Sequence, residues 1–297
     1  MKLVYFGTPE MAVPPLRALH AAGHQIVLVV TGVDKRRGRR GAPAPNPVKV
    51  AALELGLPVA HDPDDALDLD ADLGVVVAYG RLIRPHQLAA LDMVNLHFSL
   101  LPRWRGAAPV ERALLAGDER TGVCLMAVEE GLDTGCVYRR AEVPIGPSTT
   151  AAELRTTLVE VGTELLVRAL DEGLGDCAAQ AAEGVTHAAK LSSADLELDW
   201  SRPATELLRV VHVGGAWTTL DGARLKVHAA QVLADPDLGT TARGAEPAVV
   251  VEHDGRPAVR CGGGALLLQD VQPAGKAAMD ARDWANGARP VGRRLGS

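Results

Sequence analysis

The chain has 297 residues, enough for one large domain or two ordinary ones; 47% are hydrophobic and the mean hydropathy is +0.06, so a sizeable core is within reach. Its 31 Lys and Arg against 37 Asp and Glu leave a formal charge of −6, which excludes nucleic-acid binding by bulk charge and leaves only local patches for that role. No run approaches the roughly 18 apolar residues of a membrane helix, and the start of the chain lacks the basic-then-apolar pattern of a leader.

In chain order, residues 3–6 form a short apolar run that stops at Gly7, and a helix is expected from Pro14-Pro15 to just before Gly23. A second strand is expected over 25–33 and a second helix over 47–55, closed by Gly56. The unbroken Val75-Val76-Val77 marks 73–78 as a strand buried on both faces, and 93–98 is a further strand. Thr150 and Glu153 have capping-box spacing ahead of a long helix whose apolar face is Leu154, Leu158, Val161, Leu165 and Leu166; Gly173 is its natural stop.

After residue 187 the pattern changes to short β-rich runs at 223–232, 248–253, 258–261 and 265–271, with Asp221-Gly222 and Asp254-Gly255 as hairpin turns and a loose polar loop over 239–247. The expected fold is α/β: a Rossmann-like, mostly parallel sheet with helices on both faces, followed by a small C-terminal β-barrel of OB-like form. The expected division is a catalytic domain over 1–187, a linker over 188–205 and the barrel over 206–297. The four cysteines, Cys124, Cys136, Cys177 and Cys261, contain no CxxC pair and no zinc-ligand spacing with histidine, so a reduced, metal-free, cytoplasmic protein is expected.

The most informative stretch runs from Asn95 to Pro109. Positions i and i+2 of a strand share a face, so Asn95 and His97 project side by side, with Ser99 next along. A neutral hydrogen-bond donor beside a group that titrates near neutrality suits acyl or formyl transfer. Ser99 either helps to bind a ligand or satisfies backbone at the strand end. The second feature is Gly131-Leu132-Asp133-Thr134-Gly135, a tight turn. If it abuts the strand, Asp133 holds the imidazole in one tautomer; otherwise it is a turn aspartate bonding its own backbone.

The loop Lys35-Arg36-Arg37-Gly38-Arg39-Arg40-Gly41 carries five cations in seven residues, either a phosphate contact or a solvated surface loop. Arg103, Trp104 and Arg105 form a second basic and aromatic patch, where Trp104 either stacks on a nucleotide or covers the loop. Arg209, Arg224 and Lys226 of the C-terminal part either contact a nucleic-acid backbone or are ordinary scattered surface cations.

Taken in order, Phe6-Gly7-Thr8-Pro9-Glu10, Asn95-x-His97-x-Ser99-Leu100-Leu101-Pro102, Arg105-Gly106-Ala107-Ala108-Pro109, Gly131-Leu132-Asp133-Thr134-Gly135, Asp199-Trp200-Ser201 and Val271-Gln272-Pro273-Ala274-Gly275-Lys276 resemble the methionyl-tRNA formyltransferase family over nearly the whole chain. The resemblance implies transfer of the formyl group of 10-formyltetrahydrofolate to the α-amine of methionyl-initiator tRNA by a monomer that uses no metal. It implies Asn95 and His97 on the formyl oxygen, with Asp133 orienting His97 and relaying a proton. It places the folate against Tyr79, Gly80 and Leu82, against Ser99, Leu100, Leu101 and Pro102, and against Gly131. It places the tRNA against Lys35, Arg36, Arg37, Arg39 and Arg40, with Arg39 the central arginine, and makes the C-terminal barrel a tRNA-binding domain.

The chain departs from the family pattern at Met11, where an aromatic is usual, and over 210–217, where an Asn-Pro segment is usual. Two competing readings keep less of the pattern: a formyltransferase with another amine acceptor, and a non-catalytic RNA-binding relative. A dinucleotide-dependent oxidoreductase is disfavoured because Gly7-Thr8-Pro9, not GxGxxG, follows the first strand.

Overall fold

The computed structural model describes residues 1–36, 42–235 and 244–296, and divides into two compact units. The first comprises Met1–Val110, Glu119–Ile145 and Glu153–Lys190; the second comprises Glu111–Asp118, Gly146–Ala152 and Leu191–Ser297.

The chain of the first unit runs β1 (Lys2–Gly7), α1 (Val13–Ala21), β2 (Gln25–Val30), β3 (Lys35–Arg36), β4 (Pro43–Ala44), α2 (Pro47–Glu54), β5 (Val59–Ala60), β6 (Leu73–Val77), α3 (Pro85–Ala90), β7 (Met93–His97) and β8 (Arg105–Gly106). After α4 (Pro109–Ala116), most of which belongs to the second unit, the first unit resumes with β9 (Arg120–Ala127), β10 (Val137–Pro144), α5 (Ala151–Glu172) and β11 (His187–Ala188). The central sheet has the order β10-β9-β7-β6-β1-β2-β5. Its inner pairs are parallel, whereas β9 runs antiparallel to both β7 and β10.

The apolar runs explain the centre of this sheet. Leu3, Val4, Tyr5 and Phe6 of β1 and all of β6 are buried, as strands covered on both faces must be. Each such large side chain contributes about 1.5–3 kcal/mol by leaving water. Gly162 lets α5 lie close on the sheet, since a Cβ there would stand 3.1 Å from Val123 and 3.2 Å from Leu96.

The second strand stops at Val30, three residues short of the expected end. Asn46 is the reason: its side chain accepts from Thr31 Oγ1 at 2.9 Å and from the Lys49 amide at 3.0 Å, and donates to the Gly32 carbonyl at 2.8 Å. One residue thus bends the chain away from β2 and caps α2. Of the basic loop, Lys35 and Arg36 form β3, paired with β4; Arg37, Arg39 and Arg40 lie outside the described residues.

The expectation of four reduced cysteines is corrected. Cys136 and Cys177 form a disulfide across a Cα–Cα distance of 5.4 Å. Val137 and Ala178 exchange backbone hydrogen bonds at 2.8 and 3.0 Å, which sets their neighbours side by side; a separation of 41 residues concealed this pairing. Cys124 and Cys261 remain buried thiols.

The second unit contains α6 (Ala204–Val213), β12 (Trp217–Leu220), β13 (Ala223–Leu233), β14 (Val250–His253), β15 (Arg256–Arg260), β16 (Ala265–Pro273), β17 (Met279–Asp280) and α7 (Ala281–Ala288). Its antiparallel strands follow the order β12-β13-β16-β15-β14, with β17 added beside β16, as a curled half-barrel. Trp200, Leu207, Val227, Leu266, Leu268 and Trp284 are central to its core. Of the polar loop expected over 239–247, only 244–247 fall within the described residues. Among the described residues no helix is long and apolar enough to cross a membrane.

Candidate active site

Asn95 and His97 lie on β7, with His97 buried and Asn95 half-buried. Opposite them on the antiparallel neighbour β9 stand Met126 and Cys124. Because β9 continues through a loop into β10, the Gly131–Gly135 turn folds back over the face that carries the two side chains. Asp133 Oδ1 lies 3.5 Å from Asn95 Nδ2, and Asp133 Oδ2 lies 3.6 Å from His97 Nδ1. The structure therefore brings the predicted triplet together, and Asp133 reaches both partners at once.

The turn has geometric requirements that glycine meets. A Cβ on Gly135 would stand 2.0 Å from the Ala127 carbonyl oxygen, so no larger residue fits beside β9. Asp133 itself has φ +51°, a left-handed conformation that aspartate tolerates better than most residues.

The loop after β7 closes around the same group. The His97 imidazole presents Nε2 to the Trp104 carbonyl at 3.0 Å. A carbonyl only accepts, so this contact fixes a proton on Nε2, and a second proton on Nδ1 would be met by Asp133. Trp104 has φ +64°, its amide donates to Thr186 Oγ1 at 2.8 Å, and the Arg103 guanidinium stacks over its ring at 4.5 Å. The indole is thus packed within its own loop. The Gly106 amide donates to Asp133 Oδ2 at 2.7 Å, the tightest contact that carboxylate makes.

The other expected ligand residues divide into two groups. Ser99 is fully buried, and its hydroxyl donates to the Arg103 carbonyl at 2.6 Å, so it braces the loop. Leu101 is buried against Cys124, Met126 and Val137, while Leu100 and Pro102 are half-buried. Tyr79 is buried and meets Phe6 edge-on with centroids 5.6 Å apart. By contrast Gly80 and Gly131 are exposed, and the large apolar side chains Leu82 and Leu132 are 72% and 60% exposed. A cavity of about 390 Å³ lies among His61, Asp64, Arg81, Leu82 and Gln87, and shares only Leu82 with these residues. The triplet does not line it, so shape alone would have led away from Asn95, His97 and Asp133.

Gln180 escaped the sequence reading. It donates from Nε2 to the Asp133 and Gly135 carbonyls, both at 2.8 Å, and its Oε1 accepts from Arg105 Nε at 3.1 Å and Nη2 at 2.7 Å. It lies after α5 in a stretch without periodicity, and nothing in its local sequence marks it. In the second unit Arg224 stacks on Trp217 at 4.1 Å and donates to Ser193 Oγ at 3.2 Å, so this cation is tied to its neighbours.

Residues 1–170 match the family model described as formyl transferase, and residues 190–289 match the model of the formyl transferase C-terminal domain. A methionyl-tRNA formyltransferase of Symbiobacterium thermophilum is 46% identical over 97% of this chain and 92% of its own length. Among solved structures, an N-formyltransferase from Helicobacter canadensis, in complex with folinic acid and dTDP-3-aminofucose, matches at a TM-score of 0.68 and 14% identity, covering 91% of this chain and 99% of its own. HypX from Aquifex aeolicus in complex with tetrahydrofolic acid matches at a TM-score of 0.65 and 16% identity, covering 96% of this chain and 47% of its own. At these identities the two solved structures speak for the fold.

Proposed function

The chain belongs to the formyl transferase family, and from that premise we propose that it transfers the formyl group of 10-formyltetrahydrofolate to the α-amine of methionyl-initiator tRNA. The observation that carries the chemistry is Asp133, whose carboxylate lies 3.5 Å from the Asn95 amide and 3.6 Å from the His97 imidazole.

The neutral amine attacks the formyl carbon and forms a C–N bond, and the carbonyl oxygen gains negative charge. The Asn95 amide has a second N–H beyond the one turned to Asp133, and it stabilises that oxygen. His97 adds its Nε2–H by exchanging the Trp104 carbonyl for the formyl oxygen. Fixed donors of this kind are typically worth about 10²–10³ in rate. The amine proton passes to the His97–Asp133 pair and on to N10 of the folate as the old C–N bond breaks, so protons and charge balance. No protein nucleophile is required.

The residues present fit a folate. Leu82 and Leu132 bare apolar surface that a flat heterocycle would cover, on the 78–83 loop and the Gly131–Gly135 turn where the resemblance puts the folate. Lys35 and Arg36, with Arg37, Arg39 and Arg40 beyond them, supply phosphate-binding charge in an otherwise acidic chain, and the C-terminal unit serves as the second tRNA-binding element. The same reading makes the protein a cytoplasmic monomer. The test is incubation of the pure protein with 10-formyltetrahydrofolate and charged initiator tRNA, followed by assay for formylmethionine. Absence of product, together with transfer to a small amine, would reassign the acceptor.

A further inference from the structure

We propose that Gln180 is a positioning residue for formyl transfer, holding Asp133 against His97 by clasping the two loops that build the site. The inference rests on the catalytic reading of Asp133 given above.

The hydrogen-bonding capacity of Gln180 is fully used. Both of its N–H groups go to carbonyls of the Asp133 turn, and both lone pairs of its oxygen go to the Arg105 guanidinium. The reverse amide orientation would set oxygen against two carbonyls and NH₂ against a cation, so one orientation is dictated. One side chain thereby joins the turn that carries Asp133 to the loop whose Gly106 amide holds the Asp133 carboxylate. The Asp133 backbone is left-handed, a conformation that aspartate tolerates at some cost, so contacts that pin the turn support it. The two carbonyl contacts from Gln180 provide that support on either side of Thr134.

The segment that presents Gln180 is itself tied down at both ends. Cys177 is bonded to Cys136, next to the turn, and Ala178 pairs with Val137. Farther on, Thr186 receives the Trp104 amide and His187–Ala188 pairs with Arg105–Gly106. This strap therefore runs from the Asp133 loop to the loop that holds His97 Nε2, with Gln180 at the crossing. Losing the clasp loosens the Asp133 turn relative to the loop whose Gly106 amide holds the carboxylate, and so lets the carboxylate drift from the imidazole.

The experiment is steady-state formylation by the full chain with Gln180→Ala and Gln180→Glu, each also placed in an Asp133→Ala background. In Gln180→Glu the ionised carboxylate still receives Arg105 but has no proton to give the two carbonyls, so it keeps one half of the clasp and loses the other. Both single variants are expected to lose roughly 10–100-fold in kcat, with KM for folate and tRNA within about twofold of the parent. In the Asp133→Ala background the further loss is expected to be under about twofold, because the group being positioned is gone. Full activity in Gln180→Glu, a loss confined to KM, or losses that multiply in the double variants would overturn the proposal. If Gln180→Ala fails to fold, Gln180→Glu and its double variant decide alone. An active Asp133→Ala enzyme would instead sink the catalytic reading, which keeps the two failures apart.

Discussion

The Gly106 amide donates to Asp133 Oδ2 at 2.7 Å, closer than His97 Nδ1, which stands 3.6 Å from the same oxygen. The carboxylate is thus aimed by backbone from the loop that follows the His97 strand, and the imidazole approaches a charge already held in place. Preorganisation of this sort is what makes a fixed charge effective during reaction. Asn95→Ala, His97→Ala and Asp133→Ala are each expected to cut formylation by at least about a hundredfold with thermal midpoints near that of the parent. Parent-like turnover in His97→Ala, measured with saturating substrates, would sink the mechanism.

Gly135 sits where a Cβ would lie 2.0 Å from the Ala127 carbonyl oxygen. Gly135→Ala is expected to destabilise the first unit by about 1–3 kcal/mol, by overpacking against backbone that cannot yield. Gly287, inside α7 with open space around it, is the opposite case; Gly287→Ala is expected to stabilise by about 0.5–1 kcal/mol through helix propensity. Denaturant titration of both variants checks the opposite signs.

The cysteines offer a chemical test. Burial pushes the Cys124 thiol up and the Cys261 thiol up to about 12, so neither is a ready thiolate. Brief alkylation of the native protein is expected to label no cysteine; after a dithiol reductant it is expected to label Cys136 and Cys177. Reduction reopens a chain separation of 41 residues and is expected to cost about 2–4 kcal/mol of stability in the first unit, read as a lower unfolding midpoint. Labelling of Cys136 without reductant would refute the bond.

Arg112 and Asp195 pair at 2.7 Å within the second unit, their side chains 21% and 24% exposed. The Arg112 contact first, then the Ser192 hydroxyl and amide, hold the Asp195 carboxyl well below the usual carboxylate range. A depressed native pKa means stabilisation that is complete above the unfolded-state value and fades as pH falls. Asp195→Asn is therefore expected to cost about 1 kcal/mol at neutral pH. The gap to the parent narrows below about pH 4, where the unfolded carboxylate takes up its proton. An unchanged gap between about pH 7 and about pH 2.5 in parallel melts would contradict this assignment.

Arg39→Ala is expected to raise KM for tRNA far more than KM for folate, since an arginine within a run of cations in a net-acidic chain acts on phosphate. A salt titration of the two KM values separates charge loss from misfolding.

The sequence by itself determined the layer structure and, through the resemblance its motifs carry, the expected reaction. The uninterrupted β-branched run Val75–Val77, flanked by Gly74 and Gly80, suits a strand buried on both faces, and Asn95-x-His97 shares a face because strand side chains alternate. These are local consequences of covalent geometry, and they survive in one dimension. Only the tertiary structure decided what meets that face. Asp133 reaches back across 38 residues of chain to Asn95, and to His97 beside it, because β9 turns antiparallel beside β7, and no local pattern encodes that reversal. The Cys136–Cys177 bond and the Gln180 clasp are of the same kind. Each depends on the strap after α5 lying along the turn, a long-range pairing that propensity, periodicity and spacing cannot register.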